Sequence, residues 1–190
     1  MTKLNETTVI STGGLGNYGK TLIIDVSHED YLIMPGPKME WERNGHACGT
    51  FISNGKIMVI VVGGSDDLNF IGTTEILDPS SDKGWVPGNY DINMFLFLFY
   101  YTIIYDEFIF KKGPPLPVSC GYPSLVTSHD GQRVYVVGCK EDGRGGKDIY
   151  ELNTLNGSEL EWMTLSGKIT NQRFDTVSML IPDELTNCEE

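Results

Sequence analysis

A strand that ends in glycine recurs in this sequence and restricts the chain to a repetitive β fold. The run NGKIMVIVVGG at residues 54–64 returns as DGQRVYVVGC at residues 130–139. Each copy begins with Asn-Gly or Asp-Gly, which favour tight hairpin turns because both positions tolerate positive φ. The stretches before the two turns, HACGTFIS and YPSLVTS, also have strand character. Each unit is therefore predicted to open with a β-hairpin.

The second half of the unit is repeated as well. After the glycines and a polar loop comes another β-rich run, TTEILDP in one unit and KDIYELN in the other. Asp78 lies at the end of the first run, before Pro79, and Asn153 ends the second. A tryptophan follows in each unit, Trp85 and Trp162. A large aromatic side chain at this place can cover its own sheet. The repeat is therefore predicted to be a sheet of four short strands.

The same template extends towards both ends of the sequence. TTVISTGG, which ends at Gly13-Gly14, matches the glycine-terminated strand, and KTLIIDV matches the strand after it. In this unit Leu32 stands where the tryptophan is expected. RFDTVSMLIPD, from Arg173 onwards, matches the first strand of a further unit. The sequence predicts an all-β chain of about three four-stranded antiparallel units, each of which buries its apolar face against its neighbours.

These units resemble the Kelch repeat, the four-stranded blade of a β-propeller. The resemblance implies one partial propeller over residues 1–190, in which Arg43 and His46 pack between blades. The implied parts are a partial first blade at 7–42, a second at 43–88, a third at 113–172 and the start of a fourth at 173–190. The matching residues are Arg43, His46, Gly63, Gly64, Asp78 and Trp85, with Gly13, Gly14, Gly138 and Trp162 in the other units.

One segment breaks the period. Gly63 lies 50 residues after Gly13, but Gly138 lies 75 residues after Gly63. We therefore assign residues 89–112, which are rich in phenylalanine and tyrosine, to a non-repeat insertion. The segment is interpreted first as an aberrant insertion such as a translated intron, because its residues have A/T-rich codons. It is alternatively a functional loop or a membrane segment, although its apolar core is shorter than the ~20 residues of a spanning helix.

The segment GLGNYGKT, residues 14–21, matches the phosphate-binding P-loop pattern Gly-x-x-x-x-Gly-Lys-Thr. A P-loop needs a helix directly after its lysine and threonine, because the phosphate lies at the N-terminus of that helix. Here LIIDV follows Thr21, and this stretch is β-branched and short. The glycines are better explained as the end of one strand and the loop to the next.

The composition narrows the classes of partner. The net charge of −12 disfavours nucleic acid and anionic membranes, which repel an acidic chain. The sequence starts without an apolar signal segment, so we expect a cytoplasmic protein. Its four cysteines lack metal-site or redox spacing, so we expect free thiols and no metal or other cofactor.

In such propellers, function lies in the loops. The loops after the glycine-terminated strands mix charges with one aromatic residue, which suits protein binding. The candidate protein-binding residues are Asp66, Asp67, Phe70, Glu141, Asp142 and Arg144. We expect a protein–protein interaction module and not an enzyme, and the resemblance implies a ubiquitin-ligase substrate adaptor or an actin-binding protein. The alternatives are a P-loop-like nucleotide-binding protein and a propeller enzyme.

Overall fold

The computed structural model describes residues 1–14, 16, 18–27, 29–79, 110–141, 144–154 and 160–180. In these residues the chain is all-β, with thirteen strands in three antiparallel sheets and no helix. The prediction of an all-β chain is confirmed. Trp85 and most of the predicted insertion, residues 89–109, lie outside the described residues.

In the first two sheets, strands that follow one another along the chain lie side by side, whereas in the third sheet β12 pairs with β10, β11 and β13. The first sheet comprises β1 (Thr2–Lys3), β2 (Thr8–Thr12), β3 (Thr21–Asp25) and β4 (Leu32–Pro35). The second comprises β5 (Ala47–Ser53), β6 (Lys56–Val62), β7 (Thr74–Leu77) and β8 (Lys111–Lys112). The third comprises β9 (Ser124–Thr127), β10 (Arg133–Val137), β11 (Lys140–Glu141), β12 (Arg144–Asn153) and β13 (Glu161–Arg173).

The predicted turn dipeptides lie at two of the hairpins. Asn54 and Gly55 both have positive φ, 51° and 72°, and join β5 to β6 as a two-residue turn. The hairpin between β9 and β10 has a longer connection, in which the amide of Gly131 donates a hydrogen bond to the Ser128 carbonyl. Gly131 also has positive φ, so the left-handed conformation is kept while the turn type differs.

Two apolar layers hold the three sheets together. The run from Val59 to Val62 on β6 is buried on both faces, because the second sheet lies between the other two. One layer joins the first sheet to the second and contains Ile10, Ile23, Met34, Val59, Val61, Leu77 and Phe110. The other joins the second sheet to the third and contains Ile60, Val62, Ile76, Val134, Val136, Tyr150, Leu152 and Trp162.

The connections between neighbouring sheets repeat the same contacts. The Tyr122 amide donates to the Gly45 carbonyl at 2.9 Å, and the Asp175 amide donates to the Tyr122 carbonyl at 3.1 Å. These three residues have φ values of 56°, 51° and 53°, an unusual conformation for tyrosine and aspartate. The same backbone hydrogen bond therefore joins the start of the third sheet to the start of the second, and the segment at Asp175 to the start of the third.

The fourth strand of the second sheet differs from the sequence interpretation. β8 pairs with β7 through Ile76 and Lys111, so Phe110 falls opposite Leu77 by continuation of the register. Trp162 lies opposite Leu152 at the corresponding place in the third sheet. Both aromatic side chains are buried. The end of the assigned insertion, residues 110–112, thus belongs to the sheet, because Phe110 fills the place expected of a tryptophan.

Arg43 carries a buried guanidinium that joins the connection between two sheets to the second sheet. Its Nη2 atom lies 2.6 Å from Oε1 of Glu75, and both side chains are fully buried. Its Nη1 atom donates to the carbonyls of Gly63 and Thr73. The Glu75 carboxylate also accepts the amide hydrogen of Glu40 at 2.8 Å. Burial lowers the pKa of Arg43, and Glu75 opposes that shift.

We expect Glu75→Gln to lower the free energy of unfolding by about 3–5 kcal/mol, because it leaves a buried guanidinium without its counter-charge. Urea denaturation followed by tryptophan fluorescence measures the loss. The matched control is Lys56→Gln, which removes the exposed ion pair to Asp78 and should change stability by about 0–1 kcal/mol. Equal effects of the two substitutions would contradict the assignment.

Candidate functional site

The loop from Ser65 to Phe70 connects β6 to β7 and is closed by its own side chains. Oδ1 of Asp66 accepts the amide hydrogens of Leu68 and Asn69, at 3.1 and 2.8 Å. These hydrogen bonds, that of Asn69 first, lower the pKa of Asp66. Ser65 and Phe70 form an antiparallel bridge at the base of the loop. Asp66 therefore shapes the loop and keeps its tip in place.

Asp67 links this loop to the two preceding connections. Its Oδ1 atom accepts a hydrogen bond from Nδ2 of Asn44 at 2.7 Å. Tyr18, from the connection between β2 and β3, is hydrogen-bonded to Asp67, and this contact raises the pKa of the Tyr18 hydroxyl. The carboxylate thus fixes the orientation of the loop relative to the first sheet.

A cleft of about 860 Å³ lies between this loop and the start of the third sheet. Leu68, at the tip of the loop, is 88% exposed on its rim. The carboxylates of Asp67 and Glu141 also lie on the cleft wall. The remaining lining residues are Ser65, Asn69, Phe70, Val118, Ser119 and Tyr122.

Lys140 sits among three aromatic rings beside the cleft. Its ammonium nitrogen is 5.5 Å from the ring centre of Phe70, 5.7 Å from that of Tyr122 and 5.1 Å from that of Phe174. Phe70 and Tyr122 also contact each other edge to face, with ring centres 6.0 Å apart. A cation over ring faces at these distances is attracted to them. The lysine therefore holds together aromatic residues that come from three separate segments.

A disulfide bond between Cys120 and Cys139 supports the floor of this cluster. The backbones of the next residues in each segment, Gly121 and Lys140, bond to each other in both directions, at 3.1 and 2.7 Å. The expectation of four free thiols is corrected here, because two cysteines distant in sequence meet where a connection crosses the end of its own sheet. Cys48 is free, and Cys188 lies outside the described residues.

The structure places the predicted binding residues in different locations. Asp67, Phe70 and Glu141 are brought together at the cleft, whereas Asp66 is occupied in shaping the loop. Arg144 lies in a separate groove. Asp142 is outside the described residues. The sequence interpretation missed Leu68, Val118, Tyr122 and Phe174; the aromatic ones carried only a weak signal, because they belong to different units.

The predicted repeat residues lie at the joints between sheets. A Cβ on Gly13 would lie 2.6 Å from the carbonyl oxygen of Arg43, and one on Gly63 would clash with the carbonyl of Cys120. Gly138 has the same left-handed conformation. The indole nitrogen of Trp162 donates to Thr74 on the second sheet at 3.2 Å. The remaining repeat residues are Gly14, with its amide directed at the Arg43 carbonyl, Gly64, bonded to the Cys120 carbonyl, and Asp78, paired with Lys56.

The described part of the P-loop pattern, residues 14, 16 and 18–21, does not lead into the helix that a phosphate-binding loop requires. Thr21 begins β3, so no helix N-terminus follows Lys20. The amide of Gly13 is already bonded to the carbonyl of Lys20 at 2.8 Å. The glycines thus close a strand connection.

His46 is largely enclosed between the first two sheets. Its Nε2 atom lies 2.8 Å from the hydroxyl oxygen of Thr12, whereas its Nδ1 atom is buried without a hydrogen-bond partner. Burial, with a smaller contribution from the positive charge of Arg43, lowers the pKa of His46 to about 4. The imidazole is therefore neutral at pH 7 and serves as a packing residue.

The described ranges contain neither a metal-binding cluster nor a membrane-spanning helix. No three His, Cys, Asp or Glu side chains there are placed to hold a metal ion. No helical segment among the described residues has the length and hydrophobicity of a membrane span. Neither the models of protein families nor the curated proteins compared with this chain match it.

Loss of the disulfide should destabilise the third sheet and the cleft. We expect the double variant Cys120→Ser/Cys139→Ser to lose about 3 kcal/mol of unfolding free energy, since the bond closes a loop with a sequence separation of 19. Chemical denaturation measures the loss, and Cys48→Ser is the control. A reductant that leaves the wild-type stability unchanged would argue against the bond.

His46 should make stability fall with acid. Its pKa is lower in the folded state than in the unfolded state, so the unfolded chain takes up the proton first as the pH falls below 6.5. This uptake should remove about 3 kcal/mol of stability by pH 4, and none above pH 7. Comparison of wild type with His46→Gln measures it, because the variant should have the shallower pH dependence. The exposed His129→Gln is the control, and a slope unchanged by His46→Gln would refute the prediction.

Proposed function

We propose that this chain is a partial Kelch-type β-propeller that works as a protein–protein interaction module, with the cleft beside Leu68 as its binding site. The fold proposal is supported by three consecutive antiparallel sheets, each followed by a residue with the same left-handed conformation, Gly45, Tyr122 and Asp175. The innermost position in each blade would belong to β1, β5 and β9, and β5 lies next to both of the others.

The observation that carries the functional proposal is the chemistry of the cleft. Clustered aromatic rings are typical of protein-binding surfaces, and an exposed apolar side chain on a well-braced loop beside them can enter a pocket of a partner. Leu68 has this exposure, and Phe70 and Tyr122 supply the rings. Asp66 and Asp67 hold the loop in one conformation, so little conformational entropy is lost when a partner binds.

The charges favour a basic partner. Asp67 and Glu141 lie on the cleft wall, and the whole chain carries a net charge of −12. Long-range attraction therefore speeds the approach of a positively charged segment. We propose a peptide segment that combines an apolar anchor with lysine or arginine.

The roles implied by the Kelch resemblance, recruitment of substrates to a ubiquitin ligase or binding to actin, are narrower forms of this proposal. We infer them from the resemblance alone. Cytoplasmic location remains a prediction, and the Cys120–Cys139 bond argues against it, because disulfides persist mainly in oxidising compartments.

Selection from a random peptide library displayed on phage tests the proposal. We expect the chain to select basic peptides with apolar anchors, and Leu68→Ala to weaken their binding at least tenfold, as measured by calorimetry. The matched control is Ile57→Ala, another exposed apolar residue at the opposite end of β6.

The affinity of the selected peptides should also fall as salt is raised, because the attraction is between charges in solvent. Peptides that bind both variants equally well would show that the cleft is not the binding site.

A further inference from the structure

The outer face of the first sheet is apolar and has no neighbour among the described residues. Val9, Ile24 and Ile33 lie side by side across β2, β3 and β4 on this face, and Leu22 lies in the next row. Ile33 is 51% exposed and Leu22 is 44% exposed. The opposite face, with Ile10 and Ile23, is buried against the second sheet. We call the exposed surface the front face.

In the other two sheets the corresponding residues are covered. Val9 lies four residues before Gly13, and Val59 and Val134 lie four residues before Gly63 and Gly138. The row that contains Val9 therefore matches one row in each later sheet. Both matching rows are buried against the back of the preceding sheet. They consist of Val59, Leu77 and Phe110 in the second sheet, and Val134, Leu152 and Trp162 in the third. The front face therefore has the position of a surface that packs against another sheet.

The third sheet carries the complementary surface, which we call the back face. It contains Tyr135, Val137 and Ile149, all half-buried, and Met163, which is 42% exposed. The half-buried Glu151 lies between Tyr135 and Met163 and forms an ion pair with Arg133 at 3.9 Å. Tyr135 and Met163 correspond to Ile10 and Met34 of the first sheet, which contact the second sheet, whereas Glu151 stands at the place of Ile23. The back face thus corresponds to surfaces that cover a front face elsewhere in the chain.

A strand-like segment extends beyond the back face. β5 begins at Ala47, two residues after Gly45, and residue 177 lies two residues after Asp175, the counterpart of Gly45. Residues 177–180 therefore stand where the first strand of a next sheet would begin. Val177 is 93% exposed and Met179 is 76% exposed. In β5 the residues at these two places, Ala47 and Gly49, are buried. This segment therefore presents apolar side chains that the repeated geometry assigns to an interior.

The first strand of the first sheet is shorter than its counterpart in the second sheet. β1 is only two residues long and pairs with Val9 and Ile10. The corresponding strand of the second sheet, β5, has seven residues and reaches Val62, the counterpart of Thr12. Residues 177–180 of another chain, counted in the same register, would fall opposite Thr12 to Val9.

We propose that a second copy of this chain docks head to tail, so that the back face of each copy covers the front face of the other. Residues 177–180 of each copy take the first-strand place in the first sheet of the other, displacing β1. The new contact continues the interface already formed twice within the chain. Because each copy carries both surfaces, two identical contacts close the pair. The cleft at Leu68 is made by other residues, so this inference does not depend on the proposed function.

Sedimentation equilibrium of the 190-residue chain tests the proposal, at about 0.15 M salt to screen the repulsion between two acidic copies. We expect wild type to have twice the mass of the chain. Ile33→Asp on the front face and Met163→Asp on the back face should each raise the dimer dissociation constant at least tenfold, because each buries a charge. Both residues are partly exposed within one chain, so the fold should survive, and circular dichroism checks this.

A mixture of the two variants separates this arrangement from others. Met163→Asp keeps an intact front face and Ile33→Asp keeps an intact back face, so the mixture should form heterodimers through one good contact. Leu68→Asp, at the cleft, is the control and should dimerise like wild type.

Several results would overturn the proposal. A monomeric wild type would show that something else, such as residues 80–109 of the same chain, covers the front face. A dimer weakened by Ile33→Asp alone would be a front-to-front pair. A dimer insensitive to both variants would use another surface, and mass that grows without limit with concentration would mean an open chain of copies.

Discussion

The buried ion pair between Arg43 and Glu75 fixes how the second sheet sits on the first. In the first unit, the Arg43 carbonyl accepts the amide hydrogen of Gly14, and the Arg43 amide donates to the Tyr18 carbonyl. In the second unit, the Arg43 guanidinium donates to Gly63, Thr73 and Glu75. A buried charge is tolerated only where it has this many partners. The pair therefore specifies one relative position of the two sheets, and the apolar layer between them supplies the burial of hydrophobic surface.

The joint between the second and third sheets has different residues at the positions of the ion pair. Cys120 occupies the position that corresponds to Arg43. The Cys120 carbonyl accepts the amide hydrogen of Gly64, just as the Arg43 carbonyl accepts the amide hydrogen of Gly14. Tyr150 stands at the place of Glu75 in the strand register. A disulfide to Cys139 and a buried phenol thus replace the ion pair. At residues 138–139 the second place of the glycine pair is accordingly held by Cys139, the disulfide partner of Cys120.

The cleft exists because the joints between sheets bring distant segments of the chain together. Phe70, Tyr122 and Phe174 come from three segments separated by about fifty residues each, and a single lysine lies among their rings. Tyr122 reaches this position through a left-handed backbone, with its ring packed over Gly45. The chemistry of the cleft is therefore a property of neighbouring units together, since no unit carries the cleft alone.

The sequence by itself determined the all-β class, the strand order of the first two sheets and the location of the glycine-terminated strands. These features follow from local signals, namely β-branched runs, terminal glycines and turn dipeptides, which are visible along the chain. It also identified Asp67 and Phe70 as loop residues, whereas Glu141, which was expected in a loop, lies in β11. Only the tertiary structure decided that Phe110 completes the second sheet, that Cys120 bonds to Cys139 and that Lys140 lies among three rings. Those contacts join residues distant in sequence, and their spacing depends on how one sheet packs on the next, which local pattern does not encode.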